Sequence, residues 1–290
     1  DGDGNNLGIS CNQGTVGIVQ KGEKADYSES ERRVLAKFPE VTVESILSGK
    51  FSAEFEEYAV DAFPMRDAWR SVKAYVKTGI FAQKDNNGIY MVDGHLSKLE
   101  YPMDEKMLDH AIEVFTNVKE TYLKDNKVYF AMIPDKNRYL AGENGYLSLD
   151  YDVFTEYMKQ GMDFAKYIEI ADLLSTDDYY KTDIHFRQEK LEDVVVEMRN
   201  MMGLDNYPFK YRSYSYDKFY GALYDQVAST ISPDELIYLS NDTIDNALVY
   251  DYEKSNYISV YDKRNLSNID SYDIYLSGAK ALLIIENKEQ

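Results

Sequence analysis

The sequence predicts an α/β protein: a mainly parallel sheet with flanking helices, interrupted by a β-rich insertion at about 207–266. Three observations predict it. First, apolar β-prone runs at 128–133 and 167–170 alternate with helical patterns at 151–164 and 188–202. That alternation marks parallel strands joined by crossover helices. Second, Met107, Leu108, Ala111, Phe115, Val118 and Tyr122 recur at three-four spacing, which predicts an amphipathic helix over 104–123. Third, from Tyr207 the chain turns to short aromatic segments between turn residues, the texture of antiparallel strands.

Taken in order, 1–37 reads as a flexible N-terminal arm rich in Gly, Asn and charge, with a short strand at 15–19. Residues 28–37 read as a short helix or an extended lead-in, stopped by Phe38-Pro39. The remainder, 38–290, reads as one domain. Ser52 is the expected N-cap of a helix to about Ala62, with Pro64 breaking it and a second helix over 65–76. Arg66 and Asp67 in that helix's first turn read as capping and salt-bridging groups. Asp93-Gly94 is a hairpin signal between 88–92 and 95–99. The strand at 128–133 ends at Pro134, and Gly203 caps the helix over 188–202. Segments 246–252 and 256–261 read as a hairpin, and 281–285 as a further buried strand of the parallel sheet. Tyr211, Tyr214, Tyr216, Phe219 and Tyr220 either line a groove or pack an edge strand.

Composition excludes several functions. A net charge of −19 argues against nucleic acid and anionic lipid surfaces, which need clustered Lys and Arg. One cysteine, Cys11, excludes an intramolecular disulfide framework and a Cys-based zinc site. No apolar run approaches the ~18 residues of a membrane span.

The chemistry concentrates at Tyr179-Tyr180-Lys181-Thr182-Asp183-Ile184-His185-Phe186, which holds one of three histidines. In an extended segment Asp183 and His185 project to the same side, and a carboxylate there fixes an imidazole's tautomer and raises its basicity. His95 lies beside a turn without a carboxylate at dyad spacing and reads as structural or exposed. His110 falls off the apolar stripe of its helix and reads as solvated.

This octapeptide resembles the Tyr-Arg-Thr-Asp-His-His-Trp signature of the DHHW family. Phe51 to Trp69, Gly88-Ile89-Tyr90 with Asp93-Gly94-His95-Leu96, and Phe219 to Tyr224 resemble further blocks of that family, in the same order. Ile184, Phe186 and Lys181 depart from the signature at its first His, its Trp and its Arg. The family is similar to the SGNH-hydrolase-like proteins of alginate and exopolysaccharide O-acetylation. The resemblance implies an SGNH-hydrolase-like (flavodoxin-like) fold and an extracytoplasmic, cell-surface bacterial protein. It would act in O-acetylation or deacetylation of a polysaccharide through a Ser-His-Asp mechanism. Asp183 and His185 would be catalytic, Tyr180 and Thr182 would be flanking substrate-binding residues, and no metal or organic cofactor would be needed. A membrane-bound O-acyltransferase is the implied protein partner, and an anchor or signal preceding this chain the implied link to a membrane. The family's serine motif would follow Gln290, so these residues alone are expected to be inactive. Asp270-Ser271-Tyr272 has the letters of that motif but precedes Tyr272-Asp273-Ile274-Tyr275, an earlier family block. A non-catalytic glycan-binding or scaffolding protein is the alternative.

Overall fold

The computed structural model describes residues 8–12, 15–19, 27–28, 33–81, 83–205, 208, 210–227, 231–268 and 270–287. The expected flexible arm lies in large part outside them. Within it, β1 (Gly8–Asn12) pairs with β2 (Thr15–Val19), and β3 (Tyr27–Ser28) with β4 (Arg33–Val34). The stretch 33–40 is not helical: Arg33–Val34 form β4 and 35–40 are irregular.

Three helices follow: α1 (Val43–Leu47), α2 (Lys50–Asp61) and α3 (Arg66–Tyr75). The N-cap of α2 is Gly49, not Ser52. Gly49 has φ 78°, a left-handed conformation that glycine adopts without strain, so the helix begins before the expected hydroxyl cap. Across the α2–α3 turn, Arg66 lies 3.7 Å from the buried Asp61, a structural pair. The hairpin of β5 (Ile89–Val92) and β6 (His95–Lys98) turns on Asp93 and Gly94, both at positive φ as a tight two-residue turn requires. Helix α4 (Glu105–Tyr122) is capped by Asp104, whose side chain accepts from the Met107 N–H.

Strand β7 (Tyr129–Phe130), short helix α5 (Asn137–Leu140), helix α6 (Tyr151–Gly161) and strand β8 (Lys166–Tyr167) come next. β7 and β8 pair in parallel, and α4 and α6 pack together through Leu108 and Met158. After the dyad stretch come α7 (Glu192–Met202), closed by Gly203 at φ 71°, and β9 (Arg212–Phe219). Then follow α8 (Ala222–Val227), β10 (Asp234–Ser240), α9 (Asp242–Asp245), β11 (Ala247–Asp251), β12 (Asn256–Ile258) and β13 (Leu283–Asn287).

The expected mainly parallel sheet is not found. Among the described residues β7–β8 is the one parallel pair, and the other strand pairs are antiparallel. β13 joins β11 antiparallel, in the order β12-β11-β13, instead of extending β7–β8. The run 128–133 is not buried either: its backbone pairs only briefly, and Ile133 is exposed. Apolar β-prone residues fix that a segment can extend, while its partner is chosen by contacts distant in sequence. The structure is therefore mixed α/β with several small sheets.

Two packed clusters hold the dyad stretch. Tyr180 sits with Phe219, Leu236, Tyr238 and Ile274, which ties it to β9 and β10. Phe186 packs against the cluster of Ile168, Ile170, Leu174 and Val194, which ties it to the end of β8 and to α7.

His95 is buried, and its Nδ1 has no hydrogen-bond partner. Burial pushes its pKa down, and the Lys136 ammonium pushes the same way. A histidine depressed in the folded state stabilises the fold above its unfolded pKa of ~6.5 and loses that contribution as pH falls through the folded value. Between pH 7.5 and 5.5 the urea midpoint should therefore fall further for the wild type than for His95→Gln. Equal falls would show that His95 is protonated without cost.

Candidate active site

Asp183 and His185 meet, but not through an extended backbone. Residues 179–186 form a tight reversal: Tyr179 bridges Phe186, the Tyr180 N–H donates to the His185 carbonyl at 3.2 Å, and the Arg187 N–H to the Asp178 carbonyl at 2.8 Å. Asp183 Oδ1 accepts the His185 backbone N–H at 3.0 Å, the side-chain-to-backbone turn that aspartate favours. The same oxygen lies 2.5 Å from His185 Nδ1. Asp183 is thus a local cap that also holds the imidazole.

The two members differ in exposure, at 2% for the Asp183 side chain and 45% for His185. Burial by itself raises the Asp183 carboxyl. The hydrogen bond and charge of His185, with the N–H groups of Ala222 and His185, outweigh that, and its pKa lies below the ordinary value. Asp183 is therefore an anion at neutral pH. With Nδ1 committed to it, Nε2 is the nitrogen of His185 left to exchange a proton with a ligand. The ring of Tyr272 lies against the imidazole, with centroids 3.9 Å apart and planes at 12°. Tyr272 is itself packed on the Tyr180 cluster, so the imidazole rests on a supported surface.

Four more residues hold the reversal in place. Asp234, at the start of β10, accepts from the Lys181 N–H at 2.8 Å, the Thr182 N–H at 2.8 Å and the Thr182 hydroxyl at 2.6 Å. Gly221 donates its N–H to Thr182 Oγ1 at 2.9 Å, and Ala222 donates to Asp183 Oδ2 at 2.7 Å. Lys136, buried beside α5, donates from Nζ to the Tyr180 carbonyl at 2.8 Å and to the Lys181 carbonyl at 3.3 Å. Burial pushes its pKa down to about 8, against the pull of Asp183 and Asp234. A glycine is required at 221 because a Cβ there would lie 2.3 Å from Asp183 Cβ and 2.6 Å from its Cα.

Tyr180 and Thr182 do not have the exposure expected of substrate-binding residues. Both are fully buried. Tyr180 belongs to a core cluster, and the Thr182 hydroxyl is spent between Asp234 and Gly221. Thr182 builds the reversal with its hydrogen bonds, and Tyr180 anchors it through the packing of its ring. Ile184, at the position of the family's first His, is exposed. Of the aromatic segment, Phe219 is core, while Tyr211, Tyr214 and Tyr220 are surface-exposed. His110 is on the surface of α4, 3.9 Å from Glu113.

Ser271 is buried, and its hydroxyl donates to the Leu266 carbonyl at 3.0 Å. The residue that reaches His185 is its neighbour Tyr272. Among the described residues no group of three or more His, Cys, Asp or Glu could hold a metal ion.

Sequence reasoning misses Asp234, Lys136 and Tyr272. Asp234 is detectable as a carboxylate just after Pro233 and before the continuous apolar run Leu236 to Leu239. Lys136 and Tyr272 carry no local signal, since both act across long sequence separations.

No family model and no curated protein matches the sequence. Two solved structures share the architecture. Its fold is similar to that of a DHHW family protein. That protein, from Eubacterium siraeum DSM 15702, is 17% identical over 71% of this chain and 73% of its own, with TM-score 0.59. PatB1 of Bacillus cereus is 16% identical over 70% of this chain and 77% of its own, with TM-score 0.55. At these identities the likeness is one of fold.

Proposed function

We propose that this protein acts in O-acetylation or deacetylation of an extracytoplasmic polysaccharide, with His185 as general base and Asp183 as its orienter. The observation that carries the reading is the dyad itself: a buried, ionised carboxylate on Nδ1 of a half-exposed imidazole whose other nitrogen is available to a ligand. Acyl transfer uses such a pair to take a proton from an attacking hydroxyl and return it to the leaving oxygen. The resemblance to the DHHW family supplies the rest: a serine nucleophile, an acetyl ester as substrate and a glycan as its carrier. No metal or organic cofactor enters this chemistry.

Binding and turnover test the reading separately. The His185 ring resonances should shift when an O-acetylated exopolysaccharide oligosaccharide is added, and shift less with its deacetylated counterpart. Indifference to both would overturn the proposed substrate. For turnover, no described serine or threonine hydroxyl contacts His185, and Ser271 is committed elsewhere. Residues 1–290 should accordingly hydrolyse an aryl acetate no faster than their His185→Ala variant. Turnover that His185→Ala and Ser271→Ala both abolish would place the nucleophile at Ser271.

A further inference from the structure

We propose that the cleft beyond the carboxyl ends of β7 and β8 binds a small organic cation, an ammonium group carried on an apolar or aromatic body. The cleft has a volume of about 250 Å³. Met132, Ile133, Asp135 and Arg138 reach it from the segment after β7, and Ala171 from the segment after β8. Loops at the carboxyl ends of parallel strands are where α/β proteins often seat ligands. Helices α4 and α6 close its sides with Met107, Leu108 and Phe154.

Charge selects the ligand. Asp135 and Glu100 both line the cleft. The Asp135 carboxylate is fixed by the Tyr151 hydroxyl at 2.8 and 2.9 Å and by the Asn137 N–H at 2.8 Å. Those neutral donors hold it in place without cancelling its charge. Burial raises the Asp135 carboxyl, the Tyr151 and Asn137 donors pull it back, and Glu100 raises it again. Lys98 approaches Glu100 at 3.3 Å, but both side chains are largely exposed and their attraction is screened. Asp104 is used as the cap of α4. Arg138 is the cation of the lining. Its contacts with Asp152 at 3.8 Å and Asp172 at 3.9 Å reach exposed carboxylates and are screened, so it offsets one of the lining carboxylates Glu100, Asp104 and Asp135 and leaves the lining net negative.

Shape and aromatic character point the same way. Tyr101, Tyr151, Phe154 and Tyr167 line the cleft, and aromatic faces attract cations through their quadrupole. Arg138 already lies 5.5 Å from the Tyr151 ring centroid and Lys159 5.6 Å from that of Tyr167, which leaves Tyr101 and Phe154 as the rings without a resident cation among the described residues. An anion would meet two carboxylates, and a neutral apolar molecule would leave them without a counter-charge. The site shares a wall with the dyad loop, since Pro134 and Lys136 contact Tyr179 and Tyr180. The proposal does not depend on acyl chemistry at His185.

Benzyltrimethylammonium and phenethylamine serve as probes, with benzyl alcohol and benzenesulfonate as neutral and anionic counterparts. Amide resonances of residues 132–138 and 149–155 report occupancy. Both ammonium probes should shift them saturably, and the alcohol and sulfonate should bind at least about tenfold more weakly. A charge reversal at the rim then tests the cause. Met107 is 64% exposed on α4, so Met107→Arg and Met107→Glu both keep the fold. Met107→Arg should weaken ammonium binding several-fold and Met107→Glu should strengthen it. Asp135→Asn should abolish it. Absence of saturable shifts with either ammonium, sulfonate binding equal to theirs, or indifference to the Met107 charge would each overturn the proposal.

Discussion

Asp234→Ala is expected to destabilise the protein by about 3–5 kcal/mol, the mechanism being unpaired buried donors. The carboxylate accepts three hydrogen bonds from two consecutive residues of the dyad loop. Alanine would leave the N–H groups of Lys181 and Thr182 and the Thr182 hydroxyl without that acceptor. Each orphaned buried group costs about 1–3 kcal/mol, and the sum is reduced where water or a small backbone shift reaches one of them. The consequence extends to the dyad, because Thr182 Oγ1 also receives the Gly221 N–H and so fixes the chain that caps Asp183. Urea unfolding of Asp234→Ala gives the stability loss, and the His185 ring resonances report the site. A loss under about 1 kcal/mol with unchanged resonances would mean that the loop keeps its shape without Asp234.

Gly221→Ala should produce the second large effect, from one methyl group. Its Cβ would lie 2.3 Å from Asp183 Cβ, 2.5 Å from Oδ2 and 2.6 Å from Cα. A rotamer change can move the oxygen. The α-carbon belongs to the backbone and cannot be rotated away, so the two segments must separate. Overpacking of this kind costs about 1–3 kcal/mol, and a clash with backbone places it at the upper end. Separation would also break the Ala222 N–H to Asp183 bond, one of the interactions that keep the carboxyl ionised while buried. Thermal unfolding of Gly221→Ala should show a lower midpoint, and its His185 resonances should move toward those of Asp183→Asn. Wild-type behaviour in both measurements would show that residue 221 does not press on Asp183.

Much of the local structure is legible in the chain. The periodicity of Leu108, Ala111 and Phe115 gives α4, Asp93-Gly94 gives the β5–β6 hairpin, and Gly203 gives the end of α7. Each of these signals acts within a few residues, through side-chain spacing or backbone conformation. The pairing of β13 is not legible. Leu283, Ile284 and Ile285 suit any sheet, and their partner β11 is selected by a register between residues far apart in sequence. The cap of α2 escapes for a different reason: a hydroxyl cap and a left-handed glycine compete to start a helix, and only the backbone path shows which one serves.

The separation of two residues makes a contact between Asp183 and His185 legible in the sequence, but not the backbone that makes it. An extended segment is the expected route, and the contact forms instead through a side-chain-capped turn. The environment that gives the pair its properties comes from the folded chain. Asp183 stays ionised while buried because His185 and, from α8, the Ala222 N–H both favour its charge. Tyr180 and Thr182 face inward because Phe219 and Asp234 pack and pair with them, and the imidazole rests on Tyr272 from beyond β12. Burial and charge at a site sum contributions from every segment folded against it, and a single stretch of sequence contains only its own share of that sum.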